Sequence, residues 1–462
     1  MTPLWTSAEI VQATGGAASA PFAVSGVAFD SREVGPGDLF VAMKGETTDG
    51  HKFVDKAFGQ GAAGAIVSTP VDHPHILVPD SAAALEALGK ASRRRMAGKV
   101  IGVTGSVGKT GTKEALFQAL DRAAPGDVHR SVKSYNNHVG VPLSLARMDR
   151  DSAFGVFEMG MNHAGELAAL TRQVRPHVAI VTAIAPAHIE FFGTEAKIAE
   201  AKAEIFEGLE PGGTAIIPYD SPHVALLYNK AERHAGRILT FGMSGEADVR
   251  ALEAVPAPGG GTLVTARLPD AEICFTIAAP GDHWVSNALA VLAAVEAIGG
   301  DLAAAGLALA EMPGLPGRGE RRILPVAGGE ALLIDESYNA NPLSMAATLK
   351  QLGREKAGRR IAILGGMREL GEQSADLHAG LAAPIEGAQV DYAILVGAEM
   401  QPLASALTTV PHAHVPDTAS AIPLIQTEMR AGDAILVKGS NGVGLSRLVA
   451  ALADAARDGD SD

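Results

Sequence analysis

The sequence has few or none of the features that mark several large classes of proteins. It contains one cysteine, Cys274, in 462 residues, so an intramolecular disulfide cannot form and a reducing compartment fits. The flanking apolar residues lead us to expect that Cys274 is buried in a strand. No apolar run reaches the roughly 18–20 residues that span a bilayer. The first residues lack a basic stretch followed by an apolar one, so we expect a cytoplasmic protein without membrane insertion.

A basic surface is also missing from the composition. The 38 Lys and Arg residues against 52 Asp and Glu residues give a formal net charge of −14, whereas binding to nucleic acid needs a basic face. Aromatic residues make up 4% of the chain, which leaves few platforms for base stacking. The basic cluster at 93–95 is interpreted as the solvated end of a helix. We expect no nucleic-acid partner.

A glycine-rich turn between a strand and a helix is the strongest motif present. An apolar run leads into Thr104, Gly105, Ser106, Val107, Gly108, Lys109 and Thr110, and a helix-forming stretch follows. This order places backbone N–H groups and the positive end of a helix around a phosphate. Lys109 is expected at the β/γ-phosphates and Thr110 at Mg²⁺. The usual Walker A spacing would put glycine at Val103, so this is a shorter variant, and it predicts a nucleoside triphosphate site.

The chain is too long for one hydrophobic core, and its pattern of elements predicts three α/β domains. Residues 1–98 alternate short strands and helices. Residues 99–312 open with the phosphate loop, continue with buried parallel strands near 154–157, 178–181 and 215–217, and end with hairpins around 259–261 and an alanine-rich helix over 286–298. After a Pro/Gly linker at 313–317, residues 313–462 alternate four apolar strands with helices. This last pattern is typical of a Rossmann-like sheet.

Some polar residues follow the predicted central strands. Glu158 ends one strand and is placed to hold Mg²⁺ opposite a triphosphate. His188 follows another strand, but a lone histidine is more often structural than a metal ligand. Lys202 lies on a helix whose charges recur at i, i+3 and i+4, which is typical of a solvated face with ion pairs. The spacing itself singles out no lysine.

Other polar residues lie near the linker and beyond it. His283 and Asn287 precede or begin the alanine-rich helix and are suited to contact a nucleotide base. Arg318 lies beside the linker, where domain closure would carry it onto a γ-phosphate. The stretch 335–342 begins at a strand end and combines Asp, Glu, Tyr and two Asn, which indicates function more than an ordinary turn.

Together these motifs resemble those of the ATP-dependent Mur ligases of peptidoglycan synthesis. They occur in the family's order over residues 30–440: Thr104-Gly105-x-x-Gly108-Lys109-Thr110, Glu158, Ala187-His188, His283-x-x-x-Asn287, Gly317-Arg318 and Asp335-x-x-Tyr338-Asn339-Ala340-Asn341-Pro342. The stretches 134–143 and 201–205 are similar to the members that join D-alanyl-D-alanine to UDP-N-acetylmuramoyl-tripeptide. The resemblance implies a small domain for the UDP-linked substrate, a central ATP-binding domain and a C-terminal domain that closes over ATP and the dipeptide.

The resemblance also implies roles for individual residues. Glu158 and His188 would bind Mg²⁺ with Thr110, and Lys202 would be a carbamylated lysine that helps to hold a second Mg²⁺. A carbamate turns a cation into an oxygen ligand suited to a hard metal. Asn287 and Asp335 would hold the adenosine part of ATP. Lys109, His188, Lys202 and Arg318 would form the catalytic set, with Arg318 at the γ-phosphate.

The substrate-binding residues follow from the same resemblance. Ser31, Arg32, Gly45 and Asp49 would belong to the UDP-sugar site, Asn136 and Asn137 to the cleft for the muramoyl-peptide, and Tyr338, Asn339 and Asn341 to the dipeptide site. The chain departs from the family's pattern at two places. Gly366 stands where the family often has Asp in Gly-Asp-Met, and Asn441 stands where a basic residue often follows Lys-Gly-Ser. Both departures affect C-terminal contacts.

The expected activity is amide ligation with release of ADP and phosphate, in a monomer that acts on small molecules. A sister amide ligase, either the tripeptide-forming Mur ligase or folylpolyglutamate synthase, is the nearest alternative. A P-loop switch or motor ATPase is a second, although its Walker B strand would end in Asp where this chain has Glu158. A ligase-like binding protein without activity is a third.

Overall fold

A computed structural model describes residues 2–45, 48–258, 260–312 and 314–458 of the chain. It contains three separate α/β sheets and one two-stranded pair, which confirms the predicted fold class. Every strand before residue 98 belongs to the first sheet or to the pair, those from 99 to 277 to the second sheet, and those from 320 to 438 to the third. The domain boundaries at 98/99 and 312/313 stay predictions.

The N-terminal region consists of a five-stranded sheet with helices. Its elements are β1 (Trp5–Thr6), α1 (Ser7–Thr14), β2 (Ala17–Ala18), β3 (Ala23–Val24), β4 (Gly26–Ala28), β5 (Asp38–Val41), a 3₁₀ turn (Gly50–Phe53), α2 (Val54–Gly59), β6 (Gly64–Val67), β7 (His75–Leu77) and α3 (Ser81–Arg95). The sheet order is β2-β7-β6-β5-β4, and β2 alone is antiparallel to its neighbour. Thr6 and Glu9 form a capping box on α1, which satisfies backbone donors at its first turn.

The central region is built on a nine-stranded sheet. Its strands are β8 (Lys99–Thr104), β9 (Val128–Arg130), β10 (Phe154–Glu158), β11 (Val178–Val181), β12 (Thr214–Pro218), β13 (Arg237–Gly242), β14 (Val249–Pro256), β15 (Thr262–Arg267) and β16 (Glu272–Ile277). The order is β16-β15-β14-β13-β12-β11-β8-β10-β9. Strands β8 to β14 pair in parallel, and β14, β15 and β16 pair antiparallel. The predicted parallel core and hairpin extension are confirmed, although Gly259 of the predicted turn lies outside the described residues.

Helices and 3₁₀ turns cover both faces of this sheet. They are α4 (Lys109–Ala123), α5 (Gly140–Ala146), α6 (Glu166–Val174), α7 (Ile189–Phe192), α8 (Glu195–Ala203), a 3₁₀ turn (Glu204–Gly208), α9 (Val224–Ala231), α10 (Asp282–Ala297) and α11 (Leu302–Glu311). The alanine-rich helix α10 starts four residues before the predicted start. It is apolar nearly all round and packs inside the core with α4 and α11, as expected of a helix without a polar stripe.

The C-terminal region carries a six-stranded sheet. Its elements are β17 (Glu320–Val326), β18 (Gly329–Glu336), α12 (Pro342–Gly353), β19 (Arg359–Gly365), a 3₁₀ turn (Gly371–Gln373), α13 (Ser374–Ala379), α14 (Ala382–Gly387), β20 (Tyr392–Val396), a 3₁₀ turn (Ala398–Met400), α15 (Gln401–Ala406), β21 (His412–Val415), α16 (Thr418–Glu428), β22 (Asp433–Lys438), a 3₁₀ turn (Asn441–Val443) and α17 (Ser446–Asp458). The order is β17-β18-β22-β19-β20-β21, with only β17 antiparallel. The four predicted strands are present, and β17 and β21 are additional.

Two expectations about burial are wrong. Cys274 lies on β16 but is exposed, because its side chain is on the face of the hairpin extension opposite to buried Phe275. The basic cluster is not solvated as a unit, since Arg93 is 5% exposed and donates to the Val174 carbonyl oxygen at 2.7 Å. The guanidinium of Arg95 lies 3.4 Å from the centre of the Trp5 ring. These arginines join α3 to other elements, which the sequence pattern does not reveal.

The three regions meet through specific contacts. Trp5 Nε1 donates to the Ala146 carbonyl oxygen at 2.8 Å, which ties the N-terminal region to α5. Asp282, at the start of α10, accepts from Lys350 of α12 at 2.8 Å. Among the described residues, no helix is both long enough and apolar enough to cross a membrane.

Candidate active site

The phosphate loop lies between β8 and α4, at the carboxyl end of the central parallel strands. Gly105 and Gly108 have φ of 149° and 87°, which favours glycine. A Cβ on Gly105 would lie 2.0 Å from Thr182 Oγ1, and one on Gly108 would lie 2.7 Å from Asn287 Oδ1. The two glycines are therefore required by backbone conformation and by close neighbours, and they leave the first N–H groups of α4 facing the cleft.

The side chains of the loop divide into structural and available groups. Thr104 Oγ1 donates to the Met159 carbonyl oxygen at 2.8 Å, and Ser106 Oγ donates to that of Ala185 at 2.9 Å. Val107 contributes its carbonyl oxygen, which accepts from Thr182 Oγ1 at 2.5 Å. These bonds hold the loop rather than leave side chains free for a ligand. Its capacity to bind an anion thus comes from backbone N–H groups and from Lys109.

Lys109 is the point at which several parts of the site meet. Its Nζ donates to the Gly105 carbonyl oxygen at 2.7 Å, so the ammonium lies across the loop. Burial lowers the pKa of Lys109, the positive charge of Arg318 lowers it further, and the carboxylates of Glu158 and Glu369 oppose this shift. Because charged side chains of both the central and the C-terminal regions affect its pKa, Lys109 lies in the cleft between these regions.

A buried carboxylate lies next to the loop. Glu158 is 1% exposed at the end of β10, and its Oε2 accepts from Thr110 Oγ1 at 2.9 Å. Its Oε1 accepts from Asn136 Nδ2 at 2.8 Å, and its backbone N donates to Ser131 Oγ at 3.2 Å. The structure therefore brings together Thr110, Glu158 and Asn136, which the sequence analysis placed in metal and substrate sites.

Lys202 is completely buried at the end of α8, contrary to the solvated face that its charge spacing indicates. Its Nζ has no hydrogen-bond partner among the described residues. Burial lowers the pKa of Lys202 well below its usual value, the nearby Lys109 lowers it further, and Glu158 and Glu204 partly oppose this. The side chain is therefore held in a buried corner beside Lys109 and Glu158 that disfavours the charged form of the amine. An unpartnered buried polar group is costly and rare.

His188 connects the central and C-terminal regions. It adopts φ of 60°, which is uncommon for a residue other than glycine, and its Nδ1 is in ion-pair contact with Glu369. Contact with His188 is the main cause that lowers the pKa of the Glu369 carboxyl. Glu369, which follows β19, is a site residue that the sequence analysis missed. The available signal was its position shortly after the end of β19, which becomes informative only once the strand has been placed.

The C-terminal region supplies the other wall of a cavity of about 290 Å³ that opens on the phosphate loop. Arg318 and Asn339 line it, and the guanidinium of Arg318 lies 4.3 Å from the centre of the Tyr338 ring. The Tyr338 hydroxyl donates to Ser134 Oγ at 2.9 Å across the cleft. Lys438 also lines the cavity, and its Nζ contacts Glu336 Oε2 at 3.2 Å.

Of the residues predicted to contact the adenosine part of ATP, some line this cavity and one does not. Asn287 and His283 line the cavity, together with Trp284, whose ring a Cβ on Gly111 would meet at 3.1 Å. Asp335 is 4% exposed and does not line it. Its two carboxylate oxygens accept from the backbone N of Gly317 and of Ser337, each at 3.0 Å. Asp335 thus fixes the loop that carries Arg318, and its contact with adenosine stays a prediction.

A second cavity, of about 870 Å³, runs from the cleft toward the N-terminal region. Asn136 and Asn137 line it together with Lys90, His163 and Arg172. Asn137 Oδ1 accepts from Gly140 N, the first residue of α5, at 2.9 Å. The concave shape and mixed polar lining suit an elongated ligand.

The predicted residues of the N-terminal region lie apart from the phosphate loop. Arg32 is exposed and bidentate on Asp30, with Arg32 Nη2 2.6 Å from Asp30 Oδ2, and this contact lowers the pKa of Asp30 to about 2. Ser31 beside it is 7% exposed. Gly45 N donates to the Thr48 carbonyl oxygen at 2.8 Å. Glu46 and Thr47 of the predicted loop lie outside the described residues.

The side chains of Asp49 and Asn341 both form hydrogen bonds within the protein. Asp49 Oδ1 accepts from His51 N at 3.0 Å and from His51 Nδ1 at 2.6 Å. Asn341 is 3% exposed, and its Oδ1 caps α12 by accepting from Ser344 N at 2.9 Å, whereas its Nδ2 has no partner among the described residues. This Nδ2 is a buried donor next to Leu343 and Ser344, which line the cavity.

The first departure from the family's pattern has a local explanation. A Cβ on Gly366 would lie 3.1 Å from Glu399 Cβ and 3.4 Å from Glu399 Oε2. The carboxylate of Glu399 therefore occupies the space beside Gly366 in which an aspartate at 366 would extend. A carboxylate therefore does lie beside the end of β19, and it is supplied by Glu399 from another segment of the chain.

Comparison with known proteins agrees with this arrangement. Three family models match: the Mur ligase family, catalytic domain, over residues 23–95, the Mur ligase middle domain over 103–295, and the Mur ligase, glutamate ligase domain, over 321–441. The UDP-N-acetylmuramoyl-tripeptide–D-alanyl-D-alanine ligase of Synechocystis sp. is 33% identical over 93% of this chain and 92% of its own length.

Solved structures are similar over the same extent. The crystal structure of MurF from Acinetobacter baumannii has a TM-score of 0.85 and 32% identity, and covers 98% of this chain and 99% of that one. MurF ligase from Thermotoga maritima in complex with ADP has a TM-score of 0.78 and 27% identity, with 94% and 98% covered. From its shared domains and its full-length similarity, the chain belongs to the Mur ligase family.

Proposed function

We propose that this protein is an ATP-dependent ligase that joins D-alanyl-D-alanine to UDP-N-acetylmuramoyl-tripeptide, with release of ADP and phosphate. The observation that carries the proposal is the cleft that the phosphate loop, whose Thr110 is bonded to Glu158, shares with Arg318 of the C-terminal region. The substrates come from the name of the similar ligase of Synechocystis. The product would be the UDP-muramoyl-pentapeptide used in peptidoglycan synthesis.

The nucleotide would bind across the phosphate loop. Residues 104–110 would offer backbone N–H groups to the phosphates, and Lys109 and Arg318 would contact the γ-phosphate. Asn287 would face the adenosine part from α10, and Asp335 would act there mainly by holding the loop of Arg318. The ADP complex of the Thermotoga relative supports a nucleotide as ligand.

Mg²⁺ fits the residues beside the loop. The described residues contain no cluster of three or more His, Cys, Asp and Glu side chains that could hold a metal, so a site here needs other oxygen ligands. Thr110, Glu158 and His188 would contribute, together with Lys202 after carbamylation. The Nζ of Lys202, once deprotonated, would attack CO₂ and lose one further proton, which yields a carbamate anion. When bound, Mg²⁺ would neutralise negative charge on the phosphates of ATP.

The reaction would proceed by two displacements. The terminal carboxylate of the tripeptide attacks the γ-phosphorus, the bond to the β-phosphate oxygen breaks, and an acyl phosphate and ADP result. Lys109 and Arg318 would spread the charge that develops on the phosphoryl oxygens. The free amine of the dipeptide then attacks the acyl carbon, loses a proton and displaces phosphate. Closure of the cleft by the C-terminal region would exclude water from the acyl phosphate.

The substrates would occupy the two openings of the cleft. The UDP-sugar would lie on the N-terminal region near Ser31, Arg32, Gly45 and Asp49, and the peptide would follow the large cavity past Asn136 and Asn137. The dipeptide would enter beside Tyr338, Asn339 and Asn341. The proposal also includes a monomeric state and a cytoplasmic location, since ATP and UDP-linked precursors are cytoplasmic compounds.

The test is ligation by purified protein. Phosphate release is measured with ATP, Mg²⁺ and UDP-N-acetylmuramoyl-tripeptide, with and without D-alanyl-D-alanine, and products are identified by mass spectrometry. We expect release that depends on both substrates, with a UDP-linked pentapeptide as product. Ligation of a single amino acid instead would indicate a sister ligase. Phosphate release without any new amide would leave only the ATPase and contradict the proposal.

A further inference from the structure

Two loops of the C-terminal region emerge side by side at the cleft. The loop 366–371 follows β19 and the loop 439–444 follows β22, and these strands are parallel neighbours with Leu364 paired to Lys438. Because the carboxyl ends of adjacent parallel strands lie at one edge of the sheet, ligands bind there in open α/β folds. The second loop has Asn441 where the family often has a basic residue.

A guanidinium reaches this second loop from the first. Arg368 N donates to Ser440 Oγ at 3.0 Å, and Arg368 Nη2 is 3.4 Å from the Gly442 carbonyl oxygen. A Cβ on Gly442 would lie 2.6 Å from Arg368 Cζ, so the planar group rests directly on that glycine. The positive charge absent at Asn441 is therefore supplied one residue along, by a different segment of the chain.

The loop of Arg368 faces the central region. The next residue, Glu369, contacts His188, and its carbonyl oxygen accepts from Glu190 N at 3.3 Å. A Cβ on Gly371 would meet Glu190 Cβ at 2.8 Å. Arg368 thus lies at the mouth of the cleft, one residue from a side chain that reaches the proposed reaction centre.

Arg368 differs from the other cationic side chains of the cleft because its guanidinium is free to bind an anionic ligand. Lys109 is bound to its own loop and Lys438 is paired with Glu336, while Arg318 is stacked on a tyrosine ring. Arg368 is exposed, and within the described residues it forms no ion pair. Its remaining N–H groups can bind a carboxylate in the bidentate manner typical of arginine.

We propose that Arg368 binds the terminal carboxylate of the acceptor dipeptide, an inference that rests on the proposed function. Two extended residues span about 7 Å. An amine held at the acyl phosphate near Lys109 therefore places the opposite end of the dipeptide near the mouth of the cleft. There Arg368 selects an acceptor with a free acid and sets its orientation.

The test compares D-alanyl-D-alanine with its C-terminal amide as acceptors for full-length protein. Arg368→Gln is expected to raise KM for the acid at least tenfold and leave KM for ATP and kcat within about twofold. Wild-type protein should prefer the acid over the amide at least tenfold in kcat/KM, and Arg368→Gln should lose this preference. Arg368→Lys keeps the positive charge but cannot bind a carboxylate in the bidentate manner, so it should recover part of the preference for the acid.

The matched control is Arg447→Gln, which removes an exposed arginine that follows the same 439–444 loop. It should leave both acceptors unaffected. Unchanged acid preference in a folded Arg368→Gln, or an equal effect of Arg447→Gln, would overturn the inference while pentapeptide formation still supported the ligase. If wild-type protein forms no pentapeptide, the proposed function fails, and the inference fails with it.

Discussion

At the scale of single residues, Lys202 shows how a fold can bury a lysine side chain and lower the pKa of its amine. Its sequence neighbourhood is a charged helix, but the rotation of α8 directs Lys202 inward, whereas Lys197 on the same helix is exposed. Desolvation, and then the nearby Lys109, lower the pKa of its amine well below the usual value, and its Nζ has no hydrogen-bond partner among the described residues. A neutral amine is the form that reacts with CO₂, so the environment itself favours modification.

Replacing Lys202 by methionine is expected to separate activity from stability. Met fills similar volume without a buried amine, so the free energy of unfolding of nucleotide-free protein in CO₂-depleted buffer should not fall and should rise by about 1 kcal/mol. The ligation kcat/KM should decrease at least 100-fold, measured by phosphate release. Lys197→Met is the control and should retain activity. A Lys202→Met protein with wild-type kcat/KM would remove Lys202 from the proposed site.

Half-buried His129 makes stability depend on pH. Its Nε2 lies 2.7 Å from the Ser144 carbonyl oxygen, and its ring lies 5.6 Å from that of Phe157. Burial is the main cause that lowers the pKa of His129 to about 4, with Arg147 and Arg130 adding to it. The unfolded chain therefore takes up the proton first, and the stabilisation present above pH 6.5 is lost as pH falls toward 4.

The expected loss from His129 between pH 7.5 and pH 5 is about 2 kcal/mol in the free energy of unfolding. Urea titrations at the two pH values measure it. His129→Gln keeps a donor for Ser144 but does not titrate in this range, so its loss over the same interval should be smaller by about that amount. An identical pH dependence in wild type and variant would contradict the assigned cause.

At the scale of elements, strand ends and helix starts position the site. The phosphate loop, Glu158 and the loops of Arg318 and Arg368 each follow or precede a strand, so the sheets determine where these groups lie. Helix α12 begins at the cleft with Pro342 at its first position and a capping box formed by Asn341 and Ser344. Both features favour a fixed helix start, and they hold Asn341 in place.

The two functions of Asn341 can be separated by substitution. Asn341→Ala removes the cap and should cost about 1 kcal/mol of stability. Asn341→Asp keeps the cap acceptor but removes the unpartnered Nδ2 donor, so stability should be retained while ligation kcat/KM falls at least tenfold. Thermal unfolding and phosphate release measure the two effects.

Helix α16 provides the comparison for Asn341. Asp417 caps it by accepting from Ser420 N at 2.8 Å, and it lines neither of the two cavities of the cleft. Asp417→Ala should lower stability by about the same amount as Asn341→Ala and leave kcat/KM unchanged. If Asn341→Asp is fully active, Nδ2 has no part in the reaction and Asn341 is only a cap.

At the scale of the whole molecule, polar contacts join the three regions, and two tryptophans report on different junctions. Trp5 is 2% exposed where the N-terminal region meets α5, and Trp284 is 8% exposed beside the phosphate loop. These are the two tryptophans in the sequence. Intrinsic fluorescence can therefore be assigned to one junction or the other by single substitutions.

Binding of ADP with Mg²⁺ is expected to change the emission of Trp284 but not that of Trp5. The Trp5→Phe variant should retain the nucleotide-dependent signal, and the Trp284→Phe variant should lose it. Retention of the signal by Trp284→Phe would place the nucleotide outside the cavity that Trp284 lines. Equilibrium dialysis of both variants shows whether binding itself persists.

Much of the site was predictable because local order along the chain determines it. The strand–glycine–helix order predicted the phosphate loop, and the apolar runs predicted the parallel strands on either side of it, since backbone preferences and burial patterns act over neighbouring residues. The family resemblance identified Glu158, Lys202, Arg318 and the Tyr338–Asn341 stretch by residue type and order.

The α/β class, the phosphate loop and the family could all be predicted from the order of residues along the chain, because they follow from local patterns and ordered motifs. The packing of the folded chain was needed to show that Lys202 is buried with no hydrogen-bond partner among the described residues and that Asp335 holds a loop. It was also needed to show that Glu399 and Arg368 bring charges beside Gly366 and Asn441. Each of these depends on groups distant in the chain that the sheets bring together. Desolvation and charge proximity, which set their chemistry, arise only from that packing.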